Sequence, residues 1–307
     1  QGLEAFLTST LGKGVVTARD TPNFIGNRIG VFSILSTMHH TQAFGLGFDV
    51  VDALTGPAIG RPKSATYRTA DVVGLDTMGH VIKTMGDTLP QDPWHGYFKA
   101  PDWMAALVAK GALGQKSGTG FFRKVGKDIQ VLDLALQDYR LADGGASEAV
   151  AAILKLRNPA EKLGQLRESP DPQAQFLWSV FRDLFHYTAY HLADIADNAR
   201  DVDLAIRWGY GWQAGPFETW QASGWKQVAG WIAADIAAGK AMATVPLPAW
   251  VSDGREGVHG AEGSYAPSIN AARPRSANPV YRRQHYPDPV LGEKPAAGST
   301  LFESDAV

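Results

Sequence analysis

The sequence predicts an all-α protein made of two helical units in tandem. Three observations carry that prediction. Apolar residues recur at helical spacing through most of the chain: Ile25, Ile29, Phe32 and Leu35 follow at steps of four, three and three. The order long helix, short helix, loop, short helix occurs twice, with Val51-Asp52 matching Val202-Asp203 at an offset of 151 residues and His40 matching His191 at the same offset. Residues 67–74 align with residues 217–224 at an offset of 150. Strand-like runs are few and short. Two copies of one helical hairpin unit would share a single buried core.

Taken in order, Leu3, Phe6, Leu7 and Leu11 fall on one helical face. A glycine break at residues 12–14 follows, then a β-branched run over residues 15–18 that reads as a strand. Asp20, Thr21, Pro22 and Asn23 make a turn. The next helix should run from about Phe24 to about Phe44, which places Asn27 and Arg28 in its first turn, at its positive end. Gly45-Leu46-Gly47 ends it. A short helix over residues 48–54 follows, and after a loop Ser64 is a candidate N-cap for the helix containing Tyr67, Ala70 and Val73. Residues 76–85 and the stretch from Trp103 read as helices. A glycine-rich loop occupies residues 111–120, and residues 121–123 with 129–132 form a candidate hairpin. Residues 134–156 read as interrupted helix, 176–199 as a long helix, and 202–208, 217–222 and 225–238 as shorter ones. Five of the nine tryptophans lie between Trp208 and Trp231, which points to an aromatic core there. From Val251 onward no period survives, and the segment reads as a strap lying against the globular part.

Composition bounds the function. A chain of 307 residues with 45% hydrophobic and 20% charged residues has ordinary globular character. The net charge of -2 does not suggest a nucleic-acid binder or an electrostatic membrane binder. Cysteine is absent, so no disulfide or thiolate metal site can form. No run reaches the roughly 18 apolar residues of a membrane span. The histidines sit at spacings that diverge around a helix, and no metal site is expected. The sequence opens on Gln-Gly with no signal-peptide pattern, and is expected to be a piece of a larger protein.

With these residues in view, the chain resembles the C-terminal helical part of L-3-hydroxyacyl-CoA dehydrogenases. The segment Asp20-Thr21-Pro22-Asn23-Phe24-Ile25-Gly26-Asn27-Arg28 is similar to that family's DTPGFIxNR. Gly114-Gln115-Lys116-Ser117-Gly118-Thr119-Gly120-Phe121-Phe122 is similar to its GxKxGxGFY, and Gly215-Pro216-Phe217-Glu218 to its GPFE. Residues 60–68, GRPKSATYR, resemble the corresponding place in multifunctional β-oxidation proteins, which carry two such units. The resemblance covers about residues 1–240. The sequence departs from it at Asn23, where the family has Gly; Asn tolerates a left-handed backbone next best.

The resemblance implies four segments. Residues 1–19 would be a remnant of a Rossmann domain, and 20–124 a first helical unit with a fold like the C-terminal domain of 6-phosphogluconate dehydrogenase. Residues 125–250 would be a connection and a second unit, and 251–307 a linker toward an enoyl-CoA hydratase domain. It implies oxidation of a 3-hydroxyacyl-CoA to the 3-oxoacyl-CoA in fatty-acid β-oxidation, in the cytoplasm. NAD and the catalytic His-Glu pair would belong to the missing Rossmann domain; no cofactor is expected in this chain, which would be inactive alone. Asn27 would be the catalytic residue supplied here, donating its amide to the reacting oxygen beside a helix N-terminus. Asn also satisfies local backbone near helix starts, which is the competing reading. Arg28 and Ser117 are candidate substrate contacts; an ion pair for Arg28 and a turn for Ser117 are the structural alternatives. The spacing at Lys116 is not that of a P-loop. Glu218 fits a helix-start role. No GxGxxG follows a strand anywhere. A homodimer through the helical units is a further expectation. The alternatives are a structural or dimerisation module, or the helical domain of another NAD-linked hydroxyacid dehydrogenase.

Overall fold

The computed structural model describes residues 2–275. Its centre is a pair of long helices, α2 (Gly26–Ala43) and α9 (Pro172–Ile195), packed along each other. Both are buried on nearly every side, beyond the single stripe the spacing predicts. Polar residues inside α2 are accommodated locally: the Thr37 and Thr41 hydroxyls donate to the Ser33 and Thr37 carbonyls. Phe32 stacks on Tyr187 with ring centroids 3.7 Å apart.

Shorter helices flank the pair. The first group is α3 (Phe48–Leu54), α4 (Tyr67–Val73), α5 (Leu75–Thr88) and α6 (Asp102–Ala109). The second is α7 (Glu148–Leu154), α8 (Pro159–Glu168), α10 (Ala199–Tyr210), α11 (Pro216–Ala222) and α12 (Trp225–Ala237). The predicted tryptophan core is present: Trp220 stacks on Trp225 and Phe185.

Helices dominate the described residues, as expected, and two three-stranded antiparallel sheets accompany them. The predicted hairpin forms as β1 (Phe122–Val125) and β2 (Asp128–Asp133), but β3 (Asp138–Leu141) occupies a stretch read as helix. Asp133 explains the difference. Its carboxylate accepts the N–H groups of Ala135 and Leu136 and turns the chain back, Gln137 takes a left-handed φ of 53°, and Arg140 on β3 then pairs with Asp133 and Asp49.

The segment read as a strap carries the second sheet. Strands β4 (His259–Gly260), β5 (Gly263–Ala266) and β6 (Ala271–Arg273) form a sheet that lies on α10 and α11. Val251, Val258 and Tyr265 are buried, Trp225 donates to the Val251 carbonyl, and His259 meets Asp203 at 2.7 Å. Large side chains spaced without a period close this region, which is why no periodicity announced it. Residues 276–307, the rest of the expected linker, lie outside the described residues.

At the other end, residues 15–18 are extended but form no sheet; Ala18 bridges to Ala196, and the Arg19 N–H donates to the Ile195 carbonyl. Before them, α1 (Gly2–Ala5) runs into a π-helical turn, Phe6–Thr10. The wider turn buries Thr8 and leaves Leu3, Phe6 and Leu11 exposed, so the expected apolar stripe faces outward.

Helix starts are held by carboxylates from afar. Asp52, in the last turn of α3, accepts the N–H groups of Thr66, Tyr67 and Arg68 at 2.7–3.0 Å, the orphan donors of α4. Ser64 is therefore not the cap: its hydroxyl receives Thr69 instead. Asp203 serves α11 the same way, accepting from Phe217 and Glu218. Burial pushes Asp52 up to about 7 although the three N–H bonds pull it down. Asp52→Ala is expected to cost about 2 kcal/mol in urea unfolding, and Asp52→Asn less, since one acceptor remains. Equal stability of the alanine variant and wild type would show that the cap is dispensable.

Candidate functional site at the head of α2

The chain enters α2 through a turn with an unusual backbone. Asn23 and Phe24 have φ of 65° and 50°, so the left-handed conformation expected at Asn23 extends to a bulky neighbour. Such conformations cost free energy and concentrate at functional sites. The turn is tied by Phe24 N–H to the Thr21 carbonyl at 3.0 Å and Arg28 N–H to the Asn23 carbonyl at 3.3 Å. Asn23 Nδ2 and Thr21 Oγ1 are buried without a hydrogen-bond partner. The turn therefore holds two unspent polar groups beside the helix start, with the Phe24 ring 56% exposed.

Asn27 is exposed, in the first turn of α2. The N-cap of the helix is Ile25, whose side chain makes no capping bond. The Asn27 amide thus stands at the positive end of an 18-residue helix, open to solvent.

Arg28, one residue on, points into the protein. Its guanidinium reaches Asp92 at 2.9 Å, the Tyr187 hydroxyl at 2.7 Å and His191 Nδ1 at 3.2 Å. His191 Nε2 lies 3.0 Å from the same Asp92 oxygen, and the Trp94 N–H donates to the other. Burial pushes the Asp92 carboxyl up, but His191, the Trp94 N–H and Arg28 together outweigh it and hold it below the usual carboxylate range. Arg28 therefore braces α2 against α9 and the loop after α5. Sequence reasoning set His191 aside as a core histidine; its pairing with an aspartate is mirrored by His40, which meets Asp183 at 2.7 Å. The 151-residue offset between the two histidines was the available signal.

Ser117 is placed in a turn. Its hydroxyl donates toward the Gly114 and Thr119 carbonyls and accepts the Leu113 N–H at 2.8 Å. Lys116 pairs with Asp76. The loop is docked on α4 through Asp71, which accepts the N–H groups of Phe121 and Phe122. Gly114 must be glycine: its φ is 96° and a Cβ would stand 2.3 Å from the Asp71 carbonyl oxygen. Glu218 accepts the Gly215 N–H at 2.7 Å and pairs with Arg207, a helix-start role. These groups hold loops and helix ends, and none of them contacts the head of α2.

Among the described residues no cluster of three or more His, Asp or Glu could hold a metal, and no helix is long and apolar enough to cross a membrane.

Residues 24–124 match the family model described as 3-hydroxyacyl-CoA dehydrogenase, C-terminal domain. The chain is 43% identical over 227 residues to a probable 3-hydroxyacyl-CoA dehydrogenase of Bacillus subtilis, covering 74% of this chain and 29% of that protein. A probable 3-hydroxyacyl-CoA dehydrogenase of Deinococcus radiodurans is 49% identical over 119 residues, 39% of this chain and 34% of that one. A putative fatty acid oxidation complex trifunctional enzyme of Rickettsia prowazekii is 25% identical over 70% of this chain and 29% of its own length. The chain thus spans about a third or less of these relatives. The crystal structure of 3-hydroxybutyryl-CoA dehydrogenase from Escherichia coli superposes with a TM-score of 0.56 at 18% identity, covering 81% of this chain and 63% of that one, a likeness of fold.

Proposed function

We propose that the chain, whose residues 24–124 match the 3-hydroxyacyl-CoA dehydrogenase C-terminal domain, is the substrate-side helical portion of an NAD-dependent L-3-hydroxyacyl-CoA dehydrogenase of fatty-acid β-oxidation. The observation that carries the reading is Asn27. It sits in the segment most like the family's, on a strained turn, at a helix N-terminus, and exposed. Its amide donates to the C3 oxygen of the acyl-CoA, where negative charge develops as carbonyl and alkoxide interconvert. The positive end of α2 strengthens that donation. Arg28 does not touch substrate; it fixes the rotation and tilt of the first turn through Asp92.

NAD supplies the hydride acceptor. The described residues do not fit it: among them no glycine-rich turn joins a strand to a helix, and the two small sheets are antiparallel. The dinucleotide and the His-Glu pair are assigned to another domain of the same protein. The outward-facing Leu3, Phe6 and Leu11 favour such a neighbour.

The helical elements are two copies of one unit. Paired features support this reading: Asp52 and Asp203 as remote caps, Gly60 and Gly211 at φ of 77° and 67°, Gly74 and Gly224 at 95° and 93°. The first unit is 20–124; the second, with its connection, is 125–250 extended by the sheet that ends at Arg273.

The chain by itself, mixed with NAD and a 3-hydroxyacyl-CoA, is expected to release no NADH. The protein carrying its dinucleotide-binding domain is expected to turn over. NADH production by the isolated chain would overturn the assignment of the cofactor site elsewhere; inactivity of the complete protein would overturn the activity itself.

A further inference from the structure

Arg61 is a buried cation with no counter-charge among the described residues. Only 7% of it is exposed, and among the described residues it forms no ion pair. Its guanidinium carbon lies 4.0 Å from the ring centroid of Trp212, and Nη2 is buried with no hydrogen-bond acceptor. Burial alone pushes its pKa down to about 9. A guanidinium withdrawn from water normally has a carboxylate against it, because an unpaired buried charge costs several kcal/mol.

A second unsatisfied donor lines the same cavity as Arg61. Ser33 Oγ, on α2, is also buried without a partner. Both residues line one cavity of about 20 Å³, enclosed by Gly30, Tyr210 and Trp212. That is room for one particle a little larger than the minimum for water. Gly30 keeps the space: a Cβ there would overlap the Tyr210 ring, which forms the wall. The cavity lies at the junction of the two units, where the Gln213 N–H donates to the Gly60 carbonyl at 2.8 Å.

A cation and a hydroxyl, each with a spare donor, line a cavity the size of a single ion. We propose that this cavity is a binding site for one small monovalent anion of chloride size, held by Arg61 Nη2 and Ser33 Oγ and covered by Trp212. The anion completes the charge balance of the junction and so links anion concentration to the docking of the two units. It is separate from the site at Asn27, which is one to two helical turns away along α2.

The test is thermal unfolding of the chain at constant ionic strength, with chloride replacing gluconate stepwise, paired with the chloride NMR line width. Wild-type protein is expected to show a saturable rise in Tm, about 5 °C at chloride a hundredfold above its dissociation constant, and to broaden the chloride line. Arg61→Met should lose both responses and, in gluconate, melt above wild type, since the unpaired charge is gone. Ser33→Ala should keep the response with a half-saturating concentration roughly tenfold higher. A wild-type Tm without a saturable rise, with no line broadening, would show that water fills the cavity and would overturn the proposal. So would an Arg61→Met variant that responds like wild type. If Arg61→Met does not fold, the wild-type line width and the Ser33→Ala shift decide.

Discussion

Arg28→Met is expected to lower folding stability by about 3–5 kcal/mol, read as a lower urea midpoint with an unchanged slope. The size follows from what is left behind. Asp92 is enclosed, with 1% of its side chain exposed, and the arginine is its nearest permanent cation at 2.9 Å. Methionine fills much of the space but leaves the carboxylate with His191 and one backbone N–H. The Tyr187 hydroxyl also loses the guanidinium that donates to it. Arg28→Lys should fall between, because a single ammonium cannot fork to Asp92, Tyr187 and His191 together. The pH dependence has a definite sign. Asp92 is held below its unfolded value of about 3.9, so its contribution is complete above that pH and is lost as pH falls through the lower folded value. Arg28→Met should therefore flatten the acid limb of the stability curve. A variant as stable as wild type, with the same acid limb, would show that the pair does not brace α2.

The contrast between residues 27 and 28 shows what a sequence can carry. Helical spacing gave α2, and with it the fact that adjacent residues in the first turn face different ways. That spacing puts Arg28, three residues after Ile25 and four before Phe32, nearer the buried face than Asn27, but it does not name what Arg28 meets there. Arg28 finds Asp92 64 positions later and Tyr187 159 positions later, and no local pattern encodes partners that distant. The same limit explains Asp52. The sequence offers Ser64 as the cap of α4, and the cap bonds come instead from Asp52 on the preceding helix. Where local chemistry is decisive, as at Gly45-Leu46-Gly47 after α2 or in the β1–β2 hairpin, the sequence reading and the structure agree. Where burial of aperiodic large residues decides, as at Tyr265 and Trp250, nothing in the spacing announced a sheet. Arg61 sat inside a recognised segment without a role. Only its burial, and the lack of an ion pair to it among the described residues, make it conspicuous.

Asn27→Ala, made in the protein that carries its dinucleotide-binding domain, is expected to lower kcat by about 10²–10³-fold, the loss found when one donor to a developing oxyanion is removed. The fold should not notice. Asn27 is exposed, and α2 begins without a side-chain cap, so an exposed substitution there should move the urea midpoint by less than about 0.5 kcal/mol. This separates the catalytic reading from its competitor. Were Asn27 a local backbone brace, alanine would cost about 1 kcal/mol in stability and leave kcat nearly intact. Asn27→Asp sharpens the split. A carboxylate at a helix start is compatible with the dipole and should fold as well as wild type or better. Ionised, it accepts but cannot donate, and its charge repels an oxyanion, so kcat should fall at least as far as in the alanine variant. An effect confined to KM would mean that the amide binds the ground state and the transition state equally. An Asn27→Ala enzyme with wild-type kcat would remove the one residue through which this chain is proposed to enter the chemistry, and would leave a module whose role is to dock and shape.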